Sequence, residues 1–336
     1  MFLPSTFFTA LVLTILSTCC WGSFANTFKG TKNYRFELYY WDYGLGIFLI
    51  SLVYAFTLGS SGGGVFSFLP NLHQATMGCL LYGVVGGFVF NIANVLLVAG
   101  IDMVGLAIAF PLSIGIALVE GTVMSYLIHP AGNATLLFSG VGMALLAVIL
   151  IGIAYASRGV QGAVPTRKGI LVCLVSGVLM GSWAPLLEKA LTGAGNPDGL
   201  VVPPGALSPY TAAVLMTFGA FVCCFLFNPL LMKRPLVGEP ISMSGYFAAP
   251  GSYHVWGVLG GFIWGTGTVL NLVAGGKVGL PISYAIGQAS PMVATLWGVF
   301  MWKEFDGASV KSRVYLGGMF AAYVLALILI ARAYAG

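Results

Sequence analysis

The chain has 336 residues, of which 59% are hydrophobic and 7% are charged, with a net charge of +5. A water-soluble domain of this length needs a charged surface that 14 basic and 9 acidic side chains cannot provide. This composition excludes a soluble globular protein and predicts an all-α integral membrane protein. The basic residues lie beside apolar stretches and form no run interleaved with aromatic residues, so no nucleic-acid partner is expected.

Apolar stretches of about 20 residues, each long enough to cross a hydrocarbon core of about 30 Å, recur along the chain. Ten spans are predicted, at about 6–22, 43–60, 76–98, 104–126, 134–156, 169–188, 208–228, 253–274, 278–302 and 313–334. The first stretch has no positive region before it, unlike a signal peptide. It is counted as a span because its end, 22–25 (GSFA), recurs as 181–184 (GSWA) at the end of span six.

A longer internal repeat relates residues 83–110 to residues 257–284. At a constant offset of 174 and without a gap, 11 of these 28 positions are identical, glycines as well as aliphatic residues. Duplicated membrane units are typical of secondary transporters, whose substrate site lies between the two copies near the bilayer midplane.

Ten spans divide into a first repeat at 1–157, a short basic connector at 158–168 and a second repeat at 169–336. An odd number of spans in each repeat gives the halves opposite orientations, so we expect a five-plus-five inverted repeat. Eleven Lys and Arg residues lie in connectors on one side, against three on the other: Lys189, Lys277 and Arg332. The excess of positive charge predicts that both termini lie outside the cytoplasm of a plasma membrane, or of the inner membrane in a bacterium.

Polar side chains in spans three and eight are candidates for a substrate site. Asn91 and Asn94 continue the helix face of Gly83 and Gly87, and Thr268 continues the equivalent face of span eight. The glycines are interpreted as points of close helix approach. A buried amide requires a partner, so Asn91 and Asn94 are expected to contact either the substrate or a neighbouring helix.

Span nine and three tryptophans complete the predicted site. Span nine follows a tight Gly275-Gly276 connector, and its prolines are expected to loosen the helix locally. Span nine offers the hydroxyl of Tyr284 and the amide of Gln288 one turn apart. Flat stacking surfaces are offered by Trp21, Trp183 and Trp264. For Trp21 and Trp183, near span ends, an interfacial anchor is the alternative.

Glu120 is the only acidic residue placed well inside a predicted span. Intramembrane carboxylates are paired, protonated or functional, so Glu120 is the candidate for proton coupling. The three histidines, His73, His129 and His254, lie at loop edges without the spacing of a metal site or a catalytic triad, and no phosphate-binding loop occurs. No enzymatic activity, cofactor or metal is therefore expected.

Four segments resemble the ureide permease family, in its plant members and bacterial relatives: 21–26 (WGSFAN), 41–48 (WDYGLGIF), 90–111 and 280–305. The resemblance implies the drug/metabolite transporter superfamily, with ten helices in a five-plus-five inverted repeat. It also implies import of allantoin, uracil or related compounds with protons. The short connector at 157–168 lacks the long central domain of plant members, which favours a bacterial-type relative.

The sequence thus predicts a secondary transporter that moves a small, polar, planar N-heterocycle by alternating access and with proton coupling. A monosaccharide permease of the same superfamily is the alternative, because sugars also stack on tryptophan and bond to amides. An intramembrane structural or enzymatic protein is the alternative from another class. The expected partners are the small-molecule substrate, protons and the lipid bilayer.

Overall fold

The computed structural model describes residues 1–32, 34–158, 166–192 and 202–334, and all regular structure in these residues is helical. The segments 159–165 of the predicted connector and 193–201 lie outside the described residues. The helices in chain order are α1 (Phe7–Ser23), α2 (Asn26–Lys29), α3 (Phe36–Phe56), α4 (Phe68–Gln74), α5 (Met77–Val104), α6 (Leu106–Ala109), α7 (Gly115–Ile128), α8 (Ala134–Ala156), α9 (Arg167–Thr192), α10 (Pro209–Lys233), α11 (Ser244–Phe247), α12 (Gly251–Val278), α13 (Leu280–Gly287), α14 (Ser290–Leu296) and α15 (Val310–Ala333). Five-residue π-helical turns, Phe110–Ile114 and Trp297–Met301, precede α7 and follow α14.

Nine helical stretches of the described residues are long and apolar enough to cross a membrane. They are α1 with α2, α3, α5, Ala107–Ile128, α8, Arg167–Leu191 within α9, α10, α12 and α15. The multi-span helical architecture is therefore confirmed, and each of the nine corresponds to one predicted span. Helix α3 begins seven residues before predicted span two. The predicted start was too late because the first two turns of α3 are rich in tyrosine and contain Asp42, which lowers their hydropathy.

The ninth predicted span is not one long helix. In its place, α13 and α14 meet at Gln288 and Ala289, and Pro291 lies in the first turn of α14, where its missing N–H is tolerated. The predicted Gly275-Gly276 connector is wrong. Helix α12 continues to Val278, and the turn is made by Gly279 alone, whose φ of 89° favours glycine.

Helix pairing follows a regular pattern. Helix α5 packs against α9 and α10, whereas α12 packs against α1 and α3, and α8 packs along α15. The ring of Phe7 stacks on that of Tyr334 at 4.6 Å, so the two chain ends lie together at what we call the termini end of the bundle. The opposite end carries Lys29, Arg35 and Lys233 and is called the basic end.

Two glycines of the repeat allow backbones to approach closely, as the sequence predicts. A Cβ atom on Gly87 would overlap the carbonyl oxygen of Met216 in α10, and one on Gly261 would overlap the carbonyl oxygen of Tyr43 in α3. Only glycine fits at these crossings, because the neighbouring atoms are backbone and cannot rotate away.

An ionic cluster joins three segments at the basic end. Lys29 Nζ lies 2.6 Å from Glu304 Oε1, and the Tyr155 hydroxyl donates to Glu304 Oε2 at 2.8 Å. Burial opposes ionisation of Glu304, but the hydrogen bonds from Lys29 and Tyr155, with the charges of Lys29 and Arg158, hold its pKa below the usual value. The cluster ties α2 and α8 to the connector that precedes α15.

Candidate functional site

A cavity of about 230 Å³ lies between α1, α3, α5 and α14. It extends to Phe28, Phe36 and Ile101, which lie near helix ends at the basic end. Its walls are mainly aromatic, formed by Trp21, Phe24, Phe28, Phe36, Tyr39, Tyr40, Tyr43 and Phe110. No Asp, Glu, Lys, Arg or His lies among the described residues that line it. The cavity is therefore suited to a molecule without net charge.

The three predicted tryptophans meet beside this cavity. Trp21 lines it and stacks on Trp264, with ring centroids 6.1 Å apart and planes inclined by 18°. Trp183 meets Trp21 edge to face at 6.2 Å and contacts Tyr284 in the same way at 6.1 Å. All four side chains are at least nine-tenths buried, so Trp21 and Trp183 pack in the interior in this structure.

Thr268 holds Trp21 in place. The Trp21 indole N–H donates to Thr268 Oγ1 at 3.2 Å, and the threonine hydroxyl in turn donates to the carbonyl of Trp264. The indole of a buried tryptophan requires such an acceptor. Thr268 is thus placed behind the cavity wall, where it fixes the orientation of the ring that lines it.

The two predicted asparagines occupy different positions on α5. Asn94 lines the cavity and donates from Nδ2 to the Tyr40 hydroxyl at 3.1 Å. Asn91, almost one turn earlier, is fully buried, and its Oδ1 accepts a weak bond from Cys224 Sγ at 3.5 Å. Its Nδ2 has no hydrogen-bond partner among the described residues. Asn94 is therefore the asparagine that borders the cavity.

Tyr284 and Gln288 lie on the far side of the tryptophans. The Tyr284 hydroxyl donates to the carbonyl of Ala117 at 3.1 Å, so it is engaged within the protein. Gln288 is 8% exposed, and its carboxamide makes no hydrogen bond with any described residue. Its neighbour Gly287 packs against Trp21, because a Cβ there would lie 2.6 Å from the indole ring. The structure thus brings α13 against the wall of the cavity.

Glu120 lies outside the cavity. Its Oε1 accepts a hydrogen bond from Ser182 at 2.9 Å, and the side chain borders a separate, more open groove with Pro111 and Leu145. Gly121, the next residue, packs against the ring of Tyr284. Glu120 therefore lies near the cluster of Tyr284 and the three tryptophans but is not part of it. Its role in proton coupling stays a prediction.

The tyrosines of α3 line the cavity, although the sequence did not predict them as candidate site residues. Phe36, Tyr39, Tyr40 and Tyr43 are spaced by three, one and three residues, which places them on one face of a helix. That periodicity was the available signal, and a hydropathy window does not detect it because tyrosine counts as weakly polar. Tyr43 lines the cavity, and its hydroxyl has no partner among the described residues.

Comparison with known proteins identifies the family. The sequence model of the ureide permeases matches residues 39–167 and 160–333, which together make up most of the chain. The chain belongs to the ureide permease family. It is 24% identical to ureide permease 4 of Arabidopsis thaliana over 93% of this chain and 94% of that protein. Ureide permease 1 of the same plant is 22% identical over 86% of this chain and 87% of that protein.

Bacterial proteins are also among the relatives. A probable glucose uptake protein of Priestia megaterium is 24% identical over 73% of this chain and 76% of that protein. A solved crystal structure shares the fold, with a TM-score of 0.64 over 96% of this chain and 98% of the other at 13% identity. The relatives are named as permeases and uptake proteins, so this chain is a multi-pass membrane transporter of a small molecule and not an enzyme.

Proposed function

We propose that this protein is a secondary active transporter that moves a small, uncharged, planar N-heterocycle, such as a ureide or a nucleobase, by alternating access. The observation that carries the proposal is the aromatic cavity of about 230 Å³, which is walled by Trp21 and the α3 tyrosines and bordered by Asn94. A flat ring placed there gains stacking contacts on either an indole or a phenol face.

The polar groups at the cavity match an amide-containing ring. Asn94, bonded to Tyr40 through Nδ2, keeps its carbonyl oxygen as an acceptor, and Tyr43 in the same wall carries a buried hydroxyl without a partner among the described residues. Gln288 does not line this cavity and stays a predicted site residue. Ureides and nucleobases carry adjacent N–H and C=O groups, which are complementary to such a set. A charged ligand would lose its hydration without gaining an ionic partner, at a cost of several kcal/mol.

A monosaccharide is the second candidate, because a bacterial relative is named as a glucose uptake protein. A pyranose ring also stacks on tryptophan, but each of its hydroxyl groups requires a hydrogen-bond partner when it is buried. The mainly aromatic walls supply few such partners, which favours the heterocycle.

We further propose that residues 1–157 and 169–336 form an inverted repeat, with the broken segment 280–301 as the tenth span. The helix pairs support this proposal, since α5 with α10 and α12 with α3 are related by exchange of the halves. The close approaches of Gly87 to α10 and of Gly261 to α3 follow the same relation. Two like hairpins, turning at Gly105 (φ 77°) and Gly279 (φ 89°), then provide the elements that move in alternating access.

The proposed location is a plasma membrane, with the basic end in the cytoplasm and both termini outside. The cavity extends toward the basic end. With the basic end in the cytoplasm, this conformation is closer to the cytoplasm-facing state of the transport cycle than to the outward-facing state. Transport is proposed to be coupled to protons, and Glu120 stays the sequence-based candidate for the carrier.

A ligand screen tests the substrate class. The thermal unfolding temperature of the purified protein is measured with allantoin, uracil, glucose and a quaternary amine, each over a range of concentrations. A ligand stabilises the state that it binds, by about 2.7 kcal/mol at a concentration of about 100 times its Kd. We expect stabilisation by allantoin or uracil and none by the amine. Stabilisation by glucose alone would select the sugar permease.

A further inference from the structure

Asp42 is a buried carboxylate inside a membrane-spanning helix. It is the seventh residue of α3 and is 3% exposed. It does not line the cavity, although Tyr39 and Tyr43 on either side of it in α3 do. A carboxylate in this position is costly unless it is neutralised by a partner, which makes Asp42 a candidate for a functional role.

Both carboxylate oxygens of Asp42 are engaged. His254 Nδ1 lies 2.8 Å from Oδ2, and the Tyr246 hydroxyl donates to Oδ1 at 2.7 Å. His254 lies in the first turn of α12, and the Tyr246 ring meets the imidazole edge to face at 4.5 Å. The cluster therefore joins α3 to α11 and to the start of α12.

His254 is the basic side chain in direct contact with Asp42. The other titratable groups that face Asp42 are the phenols of Tyr34, Tyr39 and Tyr246. Burial and the charge of Asp42 raise the pKa of Tyr34 to about 12, and burial with the Asp42 hydrogen bond raises that of Tyr246, so both stay neutral. Among the described residues, no Lys or Arg lies within 4.0 Å of its oxygens.

The pair has access to solution. The His254 side chain is 27% exposed, whereas that of Asp42 is 4% exposed, so the imidazole separates the carboxylate from the aqueous phase at the basic end. An imidazole changes its charge between about pH 5 and 8 and commonly relays protons or senses pH. This arrangement allows a proton to reach the buried carboxylate cluster through His254.

We propose that the Asp42–His254 pair is the proton-binding site of this carrier, loaded from the basic end. The inference rests on the proposed transport function and adds the residues that carry coupling. With His254 protonated, the buried carboxylate is neutralised by an adjacent cation. With His254 neutral, an uncompensated negative charge remains in the helix interface, and breaking a buried charge pair in this way is strongly destabilising.

A change in the charge of the Asp42–His254 pair can affect the cavity through the contact between α3 and α12. Gly257 of α12 packs directly on Asp42, since a Cβ there would lie 2.5 Å from the aspartate Cβ. The Tyr39 hydroxyl, which bonds to Thr27 at 2.6 Å, likewise fills the space beside Gly260. A change in how firmly α12 holds α3 therefore acts on the helix that supplies Tyr39, Tyr40 and Tyr43 to the cavity wall.

The ionic cluster of Lys29 and Glu304 does not fill this role. Its hydrogen bonds hold the pKa of Glu304 below the usual carboxyl value, so Glu304 stays ionised throughout the neutral range. Glu120 bonds to Ser182 and has no His, Lys or Arg within 4.0 Å among the described residues. The Asp42 cluster, in contrast, places a buried carboxylate in direct contact with an imidazole that is partly exposed.

The test uses full-length protein in proteoliposomes, with radiolabelled allantoin, uracil and glucose as probes. Two activities are measured between about pH 5 and 8: exchange of labelled for unlabelled probe, and accumulation driven by an imposed proton gradient. His254→Gln keeps a hydrogen-bond donor for Asp42 but cannot gain charge. We expect it to retain exchange, to lose accumulation and to lose the pH dependence of exchange.

Tyr246→Phe is the matched control, since it removes the other hydrogen bond to Asp42 without changing proton chemistry. It is expected to keep the native pH profile and accumulation. Glu120→Gln is measured in parallel. The proposal is overturned if His254→Gln accumulates the probe as the native protein does. It is overturned most clearly if Glu120→Gln loses accumulation while His254→Gln keeps it.

A second measurement separates this inference from the proposed function. If no probe is exchanged by the native protein, the proposed substrate class fails. Proton binding is then decided by the thermal unfolding temperatures of the native protein and His254→Gln at several pH values. A difference between the two that changes with pH between about 5 and 8 supports the proton site, and a constant difference overturns it.

Discussion

Three tyrosine hydroxyls of the described residues are buried without a hydrogen-bond partner, those of Tyr34, Tyr43 and Tyr323, and of these residues only Tyr43 borders the cavity. Tyr43 is 1% exposed and lines the cavity, whereas Tyr323 is fully buried in α15. An unpaired buried hydroxyl lowers the free energy of unfolding by about 1–3 kcal/mol. A protein is therefore expected to retain such a hydroxyl where it gains from it in another way. Because Tyr43 lines the cavity, we expect a bound ligand to provide this gain.

Tyr43→Phe is therefore expected to weaken binding of the compound that stabilises the protein in the ligand screen. Losing one buried hydrogen bond costs about 1–3 kcal/mol, or roughly 5- to 150-fold in affinity. Tyr323→Phe removes an equally buried, unpaired hydroxyl outside the cavity and is expected to leave affinity unchanged. Isothermal titration of both variants measures the difference. Equal affinities in the two variants would place the ligand away from Tyr43.

The sequence predicted some residues of the candidate site and missed others. Trp21 and Asn94 were predicted because a repeat and a buried amide each indicate constraint, and both line the cavity. Asp42 was missed because the predicted span began one residue after it. His254 was set aside because its partner lies 212 positions away in the chain, and a pairing at that distance leaves no local pattern.

Among the helices, the repeat glycines set the distances that position the cavity walls. Gly87 brings α5 against the backbone of α10, and Gly219 of α10 meets the backbone of Val84 in the same crossing. Because α5 supplies Asn94 to the cavity, separating these helices displaces a site residue as well as loosening the core.

Gly87→Ala is expected to destabilise the protein, because its methyl group overlaps a backbone carbonyl that cannot rotate away. Overpacking of this kind typically costs about 1–3 kcal/mol. Gly142→Ala in α8 is the control, since nothing lies within 4 Å of its added Cβ. It is expected to be neutral or stabilising by roughly 0.5–1 kcal/mol. Thermal unfolding of both purified variants is the measurement, and equal stabilities would contradict the close crossing.

The helix that the sequence predicted least well is the one interrupted at Gln288. Hydropathy favours a single span over 278–302, since it averages side chains and does not record missing backbone hydrogen bonds. Pro281 and Pro291 indicated local loosening, but the two separate helices depend on tertiary contacts. The bonds of Asn271 Nδ2 to the Ser283 carbonyl and of Ser283 Oγ to Asn271, each at 2.9 Å, tie α13 to α12.

For the whole molecule, composition and periodicity predicted the membrane class and nine of the spans, because crossing a bilayer imposes a length and an apolar character on each helix. Orientation depends on a weaker signal, the distribution of Lys and Arg among connectors. Eleven of these residues lie in connectors at the basic end and three lie at the other side, which predicts a cytoplasmic basic end.

Two exposed residues at opposite ends allow a direct test of that orientation. Ser61 lies at the termini end, where its carbonyl accepts a hydrogen bond from the Met1 amino group at 2.6 Å. Glu239 lies at the basic end, where its carbonyl accepts a hydrogen bond from Arg35 at 2.9 Å. In a background without the six native cysteines, we expect an impermeant thiol reagent to label Ser61→Cys in intact cells and to label Glu239→Cys only after permeabilisation. Labelling of Glu239→Cys in intact cells would reverse the orientation, and the Asp42–His254 pair would then take its proton from outside.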